Sequence, residues 1–417
     1  MLTHSLLAYI DPGTGSMLFT VLIGIVSAGV YAARAALLKL RFILSGGRAD
    51  TGGERLAIAI FTDSKRYWNL FEPICDELES RGIESSYLTA SPDDPALDKA
   101  YEHVHCQFIG EGNKSFATMN MLAADVVLST TPGLDVYKWK RSRDAAFYVH
   151  VPHAVSDVTL YRMFGIDYFD AVLLTGAFQG EQVRALEAAR ELPEKELRVV
   201  GAPYMDTLAA RAHDAAQHTA DVPTVLLAPS WGTGAILSRY GERMLEALLD
   251  TGYHIVVRPH PQSFVSEAEL MERLQRAYPD SEQLEWNRDN DNFDVLARSD
   301  IMISDFSGVI WDYTLAFERP VIYTQPDLDL APYDACWLDE ELWTYKALPQ
   351  VGVRLDDADL GDMKQLIDRC LADDTLSQGR EAVKHECWAY PGESATRIVD
   401  YLVEKRDAIN HPNPQTA

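Results

Sequence analysis

Short apolar runs and amphipathic stretches alternate along this chain, and this alternation restricts the fold more than any other feature. In the first half, the apolar runs are LAIAIF (56–61), DVVLST (125–130), AFYVHV (146–151), DAVLLTG (170–176) and LRVVG (197–201). After a polar interval at 213–222, the pattern resumes with TVLLAPS (224–230), YHIVVRP (253–259), DIMIS (300–304) and PVIYT (320–324). Strands separated by helices form mostly parallel sheets covered on both faces. The sequence therefore predicts an α/β fold with one domain at 54–215 and a second at 222–406.

The N-terminal segment differs in kind from the rest. MLFTVLIGIVSAGVYAA (17–33) carries no charge, and its continuation to residue 42 gives about the 20 residues that a membrane-spanning helix needs. Arg34, Lys39, Arg41 and Arg48 follow the apolar run, and none precedes it. The positive-inside rule then places 1–16 outside the cell and the large C-terminal part in the cytoplasm. We predict a single-pass membrane anchor at 17–42, with a buried soluble helix as the alternative, and a disordered tail at 407–417.

The charge and the cysteines exclude two classes of function. The formal net charge is −26, which repels nucleic acid, and the sequence has no run of lysine or arginine to offset it. The five cysteines are an odd number without a CxxC pair, which argues against a disulfide framework and against a zinc site. We therefore expect no nucleic-acid partner, no cofactor and no metal.

Two histidines follow predicted strands through a proline. His260 lies in VVRPHP, two residues after Arg258, and His153 lies in VHVPH. The carboxyl ends of parallel strands form the ligand-binding edge of an open α/β sheet, and the two domains present these edges to a shared cleft. Arg258 offers two parallel donors to phosphate oxygens. The pattern predicts that His153 acts as a general base and His260 as part of a phosphate clamp.

Two further segments join a predicted strand to a helix through small or hydroxyl residues. In ISDFSG (303–308), Ser307 is the expected N-cap of a helix at 308–317, so that the free N–H groups beside Ser304, Asp305 and Gly308 bind phosphate. Asp312, one turn later, is a candidate acceptor for ribose hydroxyls. In PSWG (229–232), Ser230 and Gly232 leave room for a phosphate, and Trp231 can stack on a base. An ordinary capped helix and a packed loop tryptophan are the alternatives.

Taken in order, APSWG, VVRPHP, ISDFSGV and RPVIY resemble the CDP-glycerol glycerophosphotransferase family, whose members build poly(glycerol phosphate) of teichoic acids at the membrane. The resemblance covers roughly Tyr148 to Tyr323. It implies a GT-B fold with two Rossmann-like domains, in which the second domain holds most of the nucleotide. It also implies that His153 and His260 are catalytic, that Ser304, Asp305 and Ser307 bind the diphosphate, and that Pro229, Ser230 and Trp231 form the nucleotide-side loop. The family commonly has glycine after the first histidine, where this chain has Ala154.

The resemblance implies transfer of a polyol-phosphate unit from CDP-glycerol, or a similar CDP-alcohol, to a hydroxyl of a membrane-bound glycan or polymer, with release of CMP. Two alternatives remain open from the sequence. One is a GT-B nucleotide-sugar glycosyltransferase or sugar epimerase, because SGVIWD fits the phosphate-and-ribose motif of those enzymes nearly as well. The other is a non-catalytic, membrane-tethered nucleotide-binding protein.

Overall fold

A computed structural model of the chain describes residues 55–215, 221–289, 291–325 and 328–411, together with 37 and 40. These residues form two parallel β-sheets, one of seven strands and one of six. The α/β fold with two Rossmann-like domains is therefore confirmed.

The first sheet has the strand order β3-β2-β1-β4-β5-β6-β7. Its strands are β1 (Leu56–Thr62), β2 (Ser85–Thr89), β3 (Val104–Phe108), β4 (Ala124–Ser129), β5 (Ala145–His150), β6 (Ala171–Leu174) and β7 (Glu196–Val199). The accompanying helices are α1 (Trp68–Ser80), α2 (Asn113–Met119), α3 (Ala177–Arg190) and α4 (Pro203–Asp214).

The second sheet has the order β10-β9-β8-β11-β12-β13. Its strands are β8 (Thr224–Leu227), β9 (His254–Val257), β10 (Leu284–Trp286), β11 (Ile301–Ser304), β12 (Val321–Tyr323) and β13 (Gly352–Arg354). Its helices are α5 (Ile236–Tyr240), α6 (Glu242–Leu249), α7 (Ser263–Ser266), α8 (Ala268–Ala277), α9 (Phe293–Arg298), α10 (Val309–Trp311), α11 (Trp343–Val351), α12 (Met363–Leu371) and α13 (Thr375–Cys387). A final helix, α14 (Ser394–Asn410), ends the described chain.

The central strands are apolar on both sides because helices cover both faces of each sheet. In β1, Ile58 and Ile60 belong to one buried cluster, whereas Ala59 and Phe61 belong to the cluster on the opposite face. Successive side chains of a strand point to opposite faces, so a strand covered twice must be apolar at every position. This is why LAIAIF lacks the polar alternation of a half-exposed strand.

The C-terminal helix α14 packs against the first domain, although the chain preceding it belongs to the second. Ile398 and Leu402 lie in the same buried cluster as Ile58, and Asp400 pairs with Arg81 at 2.6 Å. We assigned α14 to the second domain, and the predicted boundaries at 54–215 and 222–406 stay predictions. The helix also continues through Asn410, into the segment predicted to be a disordered tail, and 412–417 lie outside the described residues.

The N-terminal predictions fall almost wholly outside the described residues. The segment 1–16 and nearly all of the predicted anchor at 17–42 are not described. Among the residues that are described, no helix combines the length and the hydropathy that spanning a membrane would require.

Candidate active site

The strand orders locate a crevice in each domain. In the first sheet the order reverses beside β1 and β4, and in the second beside β8 and β11. At such a switch point the connecting loops leave in opposite directions and open a ligand-binding crevice beyond the carboxyl ends of the strands. The first crevice receives the chain after β1 and β4 and the second receives PSWG and DFSG, with His153 and His260 on the neighbouring strand exits.

His153 is half-buried after β5. Its Nδ1 lies 3.4 Å from the hydroxyl of Thr130, and its ring centroid lies 4.8 Å from that of Tyr67. Burial, and then the positive charge of Arg66, lower the pKa of His153 to about 4. The imidazole is therefore neutral at neutral pH and able to accept a proton.

His260 is exposed at the end of β9. The backbone N–H of Gln262 donates to its Nδ1 at 3.1 Å. A neutral imidazole that accepts at Nδ1 carries its proton on Nε2, so this ring presents a hydrogen-bond donor. Burial and the charge of Arg66 lower the pKa of His260, and the Asp305 and Glu267 carboxylates oppose this effect.

Arg66 connects the two histidines. Its charge acts on the pKa of both His153 and His260, so the structure brings one imidazole from each domain to the same cation. The guanidinium donates to the hydroxyl of Tyr67 at 2.6 Å and lies 4.6 Å from the centre of that ring. The sequence analysis missed Arg66. The available signal was the cluster KRY directly after the first strand, the kind of position that identified the histidines.

Asp305 and Ser304 lie beneath the nucleotide-side loop. The Asp305 carboxylate is fully buried and accepts from the N–H groups of Ser230 at 2.9 Å, Ile236 at 3.1 Å and Phe306 at 2.8 Å. Burial raises its pKa. Ser304 donates to the carbonyl of Ala228 at 2.6 Å. Both side chains thus have protein partners that shape the loop after β8, whereas the prediction assigned them to the diphosphate.

The predicted helix start after DFSG is corrected by the structure. The N-cap of α10 is Gly308, not Ser307, and the cap has no side-chain hydrogen bond. The helix spans only Val309–Trp311 and continues as a π-helical turn at Asp312–Ala316. The physical reason is that the Asp305 carboxylate binds the Phe306 N–H, so the chain turns before Ser307 can cap. Gly308 is exposed, with open space where a Cβ would lie.

Arg258 is separated from the histidine that the sequence pairs with it. Its Nη1 donates to the side-chain oxygen of Asn287 at 2.5 Å, and burial lowers its pKa. Arg258 lines a cavity of about 180 Å³ with Phe264 and Asn287, and His260 does not line that cavity. The amide of Asn287 attracts the guanidinium toward β10 and away from His260.

The PSWG loop is partly as predicted. Trp231 is 47% exposed, and its ring centroid lies 6.4 Å from that of His260. Gly232 has φ +96 and open space around the position of a Cβ. Its N–H, however, donates to the Glu267 carboxylate at 2.5 Å. The loop therefore leaves room for a ligand, but this N–H already has a partner.

Asp312 has a protein partner at the seam between the domains. Its carboxylate accepts a hydrogen bond from the hydroxyl of Tyr204, and burial raises its pKa to about 7. The same hydroxyl accepts from the N–H of Val155 at 3.1 Å. Asp312, predicted to meet a ribose, thus reaches the loop that carries His153.

Two Rossmann-like domains, with a histidine from each at a common cation, define a transferase of the GT-B architecture. A sequence model of the family described as CDP-glycerol:poly(glycerophosphate) glycerophosphotransferase matches residues 178–403, more than half of the chain. The chain belongs to this family of transferases. The matched range includes His260, Asp305 and Asp312 and begins after His153.

Solved structures with the same fold include a transferase and epimerases. The wall teichoic acid polymerase TagF with CDPG is 14% identical, with 95% of this chain and 99% of that chain covered and a TM-score of 0.53. A UDP-N-acetylglucosamine 2-epimerase described as putative, from Listeria monocytogenes, is 14% identical over 86% of this chain and 98% of that one, with a TM-score of 0.57. UDP-GlcNAc 2-epimerase from Neisseria meningitidis, bound to UDP-GlcNAc, is 12% identical over 83% and 99%, with a TM-score of 0.53. No curated protein matches the sequence.

Proposed function

We propose that this chain transfers glycerol phosphate from CDP-glycerol to a hydroxyl group of an acceptor and releases CMP. Family membership supports the donor class. The observation that carries the proposal is the influence of Arg66 on the pKa of both His153 and His260, which brings a base and a phosphate-binding donor to one place.

In the proposed reaction, the acceptor oxygen attacks the phosphorus that bears the glycerol. A bond forms between that oxygen and phosphorus, and the bond from phosphorus to the oxygen bridging the two phosphates breaks. CMP leaves with the electron pair, and the neutral ring of His153 takes the hydroxyl proton. A positioned general base contributes roughly 10²–10⁴-fold to such a step.

The remaining groups stabilise negative charge on the phosphoryl oxygens. Arg66 and the Nε2–H of His260 are the donors nearest to His153, and the exposed backbone at Ser307 and Gly308 lies on the nucleotide side. Preorganised donors of this kind are each worth ~3 kcal/mol of the barrier. Ser304 and Asp305 act by holding the loop that carries Ser230, Trp231 and Gly232.

The nucleotide-binding roles of Ser230, Trp231, Gly232, Arg258 and Asp312 remain part of the proposal. Trp231 is half exposed and available for stacking on cytosine. Arg258 lies in a neighbouring cavity, so we assign it to the nucleotide and not to the transferred phosphate.

We also propose a setting for the reaction. The family description names poly(glycerophosphate), and TagF is described as a wall teichoic acid polymerase. We infer that the acceptor is a membrane-bound glycan or polymer of the cell envelope. The anchor predicted at 17–42 would hold the catalytic part at the cytoplasmic face of the cell membrane.

A donor panel tests the proposal. Purified protein is incubated with membrane extract and with CDP-glycerol, CDP-ribitol or UDP-N-acetylglucosamine, and the released nucleotide is identified by mass spectrometry. We expect CMP from a CDP-alcohol, with glycerol phosphate in the acceptor fraction, and no turnover by His153→Asn. Release of UDP from the UDP-sugar without CMP from either CDP-alcohol would refute the proposal in favour of a nucleotide-sugar enzyme.

A further inference from the structure

A cavity of about 590 Å³ opens in the first domain beside His153, with walls built mainly from aromatic rings. The rings are those of Tyr67, Phe116, Tyr137, Trp139 and Tyr161. A pocket of this size accommodates a small organic group, and aromatic walls favour a ligand with an apolar face. All five residues lie before residue 178, where the match to the family begins.

Neighbouring groups hold the walls in place. Trp139 is 1% exposed and packs edge-on against Phe61, with 5.1 Å between ring centroids. Tyr137 packs directly over Gly133, where any Cβ would overlap the tyrosine ring, and its hydroxyl donates to the carbonyl of Met163 at 3.2 Å. The cavity is therefore formed without a ligand.

One wall includes a donor that lacks a partner. The indole nitrogen of Trp139 is buried and has no hydrogen-bond partner among the described residues. Buried indole N–H groups usually have a partner, and an unsatisfied one is costly. The lining of this cavity is thus not purely apolar, and its hydrogen bonding is incomplete in the free protein.

The charged groups around the cavity are mostly positive. Arg66, Lys138 and Arg162 line it, and Asp63 is the carboxylate that lines it with them. Asp63 accepts from the hydroxyl of Thr131 at 3.1 Å. In a chain with a net charge of −26, three cations around one cavity favour an anionic ligand there.

We propose that this cavity binds the acceptor, and that the acceptor is a sugar ring attached to phosphate. The C–H face of the ring packs against the Tyr137 and Trp139 walls, the phosphate lies against Lys138 and Arg162, and the attacking hydroxyl points to His153. A chain of glycerol phosphates has no ring to cover the aromatic walls. The cavity therefore fits addition of a first unit to a glycan better than extension of a polymer. This inference rests on the proposed function for its catalytic consequence.

The first test compares two acceptors at saturating CDP-glycerol. The probes are an alkyl N-acetylhexosaminyl diphosphate and an alkyl oligo(glycerol phosphate) of equal charge. We expect the glycosyl diphosphate to have at least a tenfold higher kcat/KM. We expect Tyr137→Ala and Lys138→Ala each to raise its KM at least tenfold, while the KM for CDP-glycerol stays that of wild type. Lys114→Ala, which removes an exposed charge from α2, is the matched control and should change neither value.

A second measurement separates this inference from the reaction itself. Calorimetric titration of the glycosyl diphosphate into donor-free protein measures binding without turnover. Binding to wild type that weakens at least tenfold in Lys138→Ala supports the site even if CDP-glycerol proves not to be the donor. Equal affinity of wild type and Lys138→Ala, or a preference for the oligo(glycerol phosphate), would overturn the inference while leaving the proposed donor intact. Because Lys138 is exposed, its variant also covers the case in which Tyr137→Ala does not fold.

Discussion

Replacement of Arg66 by glutamine tests whether the two histidines share one cation. Arg66 is exposed and follows β1 directly, so its loss should not disturb the fold. A positive charge disfavours the imidazolium form, so its removal must raise the pKa of each histidine that it reaches. If the cleft is arranged as described, the pKa of both His153 and His260 rises in the single variant.

The structure sets the size of the effect. Burial and Arg66 together lower the pKa of His153 from 6.5 to about 4, and burial is the larger cause. Arg66 therefore accounts for less than half of the lowering, which is on the order of one pKa unit. We expect the pKa of His153 to rise by ~0.5–1 unit in the variant. For His260, burial again exceeds Arg66 as a cause, and we expect a rise in the same direction.

Titration of ¹³C-labelled histidine rings by NMR measures both values in one protein. The chain has 11 histidines, and spectra of His153→Asn and His260→Asn assign the two signals. Lys65→Gln is the matched control, because this neighbouring cation pairs with Asp93 and does not contribute to either shift. If the pKa of only one histidine moves, or if Lys65→Gln moves them as much, the two imidazoles do not share Arg66 and the reasoning fails.

Three further predictions concern buried carboxylates. Asp157 accepts from the N–H groups of Trp343 at 2.7 Å and Thr344 at 3.0 Å, across the domain seam; Asp157→Ala should lower the free energy of unfolding by ~2–4 kcal/mol in urea denaturation, and a loss under ~1 kcal/mol would contradict this role. Asp305→Ala leaves three N–H groups without their acceptor and should cost ~3–5 kcal/mol and weaken CDP-glycerol binding in calorimetry; unchanged affinity would show that the loop does not depend on it. Burial raises the pKa of Asp312 from 3.8 to about 7, so the folded protein holds a proton that the unfolded chain releases, and stability should fall as pH rises from ~4 to ~7, by at most ~4 kcal/mol. Asp312→Asn should flatten this slope in denaturation curves at several pH values, and an unchanged slope would assign it to other groups.

The sequence predicted those strands whose burial leaves a continuous apolar run. β1, β4, β8 and β11 are central strands covered on both faces, and each was found within one or a few residues of its bounds. β2 was missed because SSYLT begins with serines, although all five residues are buried. The edge strands β3, β10 and β13 were missed because one side of an edge strand is not covered, so their residues are mixed.

The sequence located the site loops but not the direction of each side chain. His153 and His260 were found because a proline after a strand leaves the chain extended at the ligand-binding edge. Arg258 and Asp305 lie at equally suitable positions, yet one reaches Asn287 and the other is buried under its own loop. Those orientations depend on partners distant in sequence. Arg66 was missed for the same reason, since its importance arises from histidines at 153 and 260.

The central claim is that one histidine from each domain acts on the same molecule of CDP-glycerol. Rapid-quench measurement of CMP release under single-turnover conditions, with acceptor present, tests it in wild type, His153→Asn, His260→Asn and the double variant. Groups that act as a unit have non-additive effects, so we expect each single change to slow the step by ~10²–10⁴-fold and the double variant to be little slower than the worse single one. Single variants within a few fold of wild type, or a double variant slowed by the full product of the two effects, would contradict the claim.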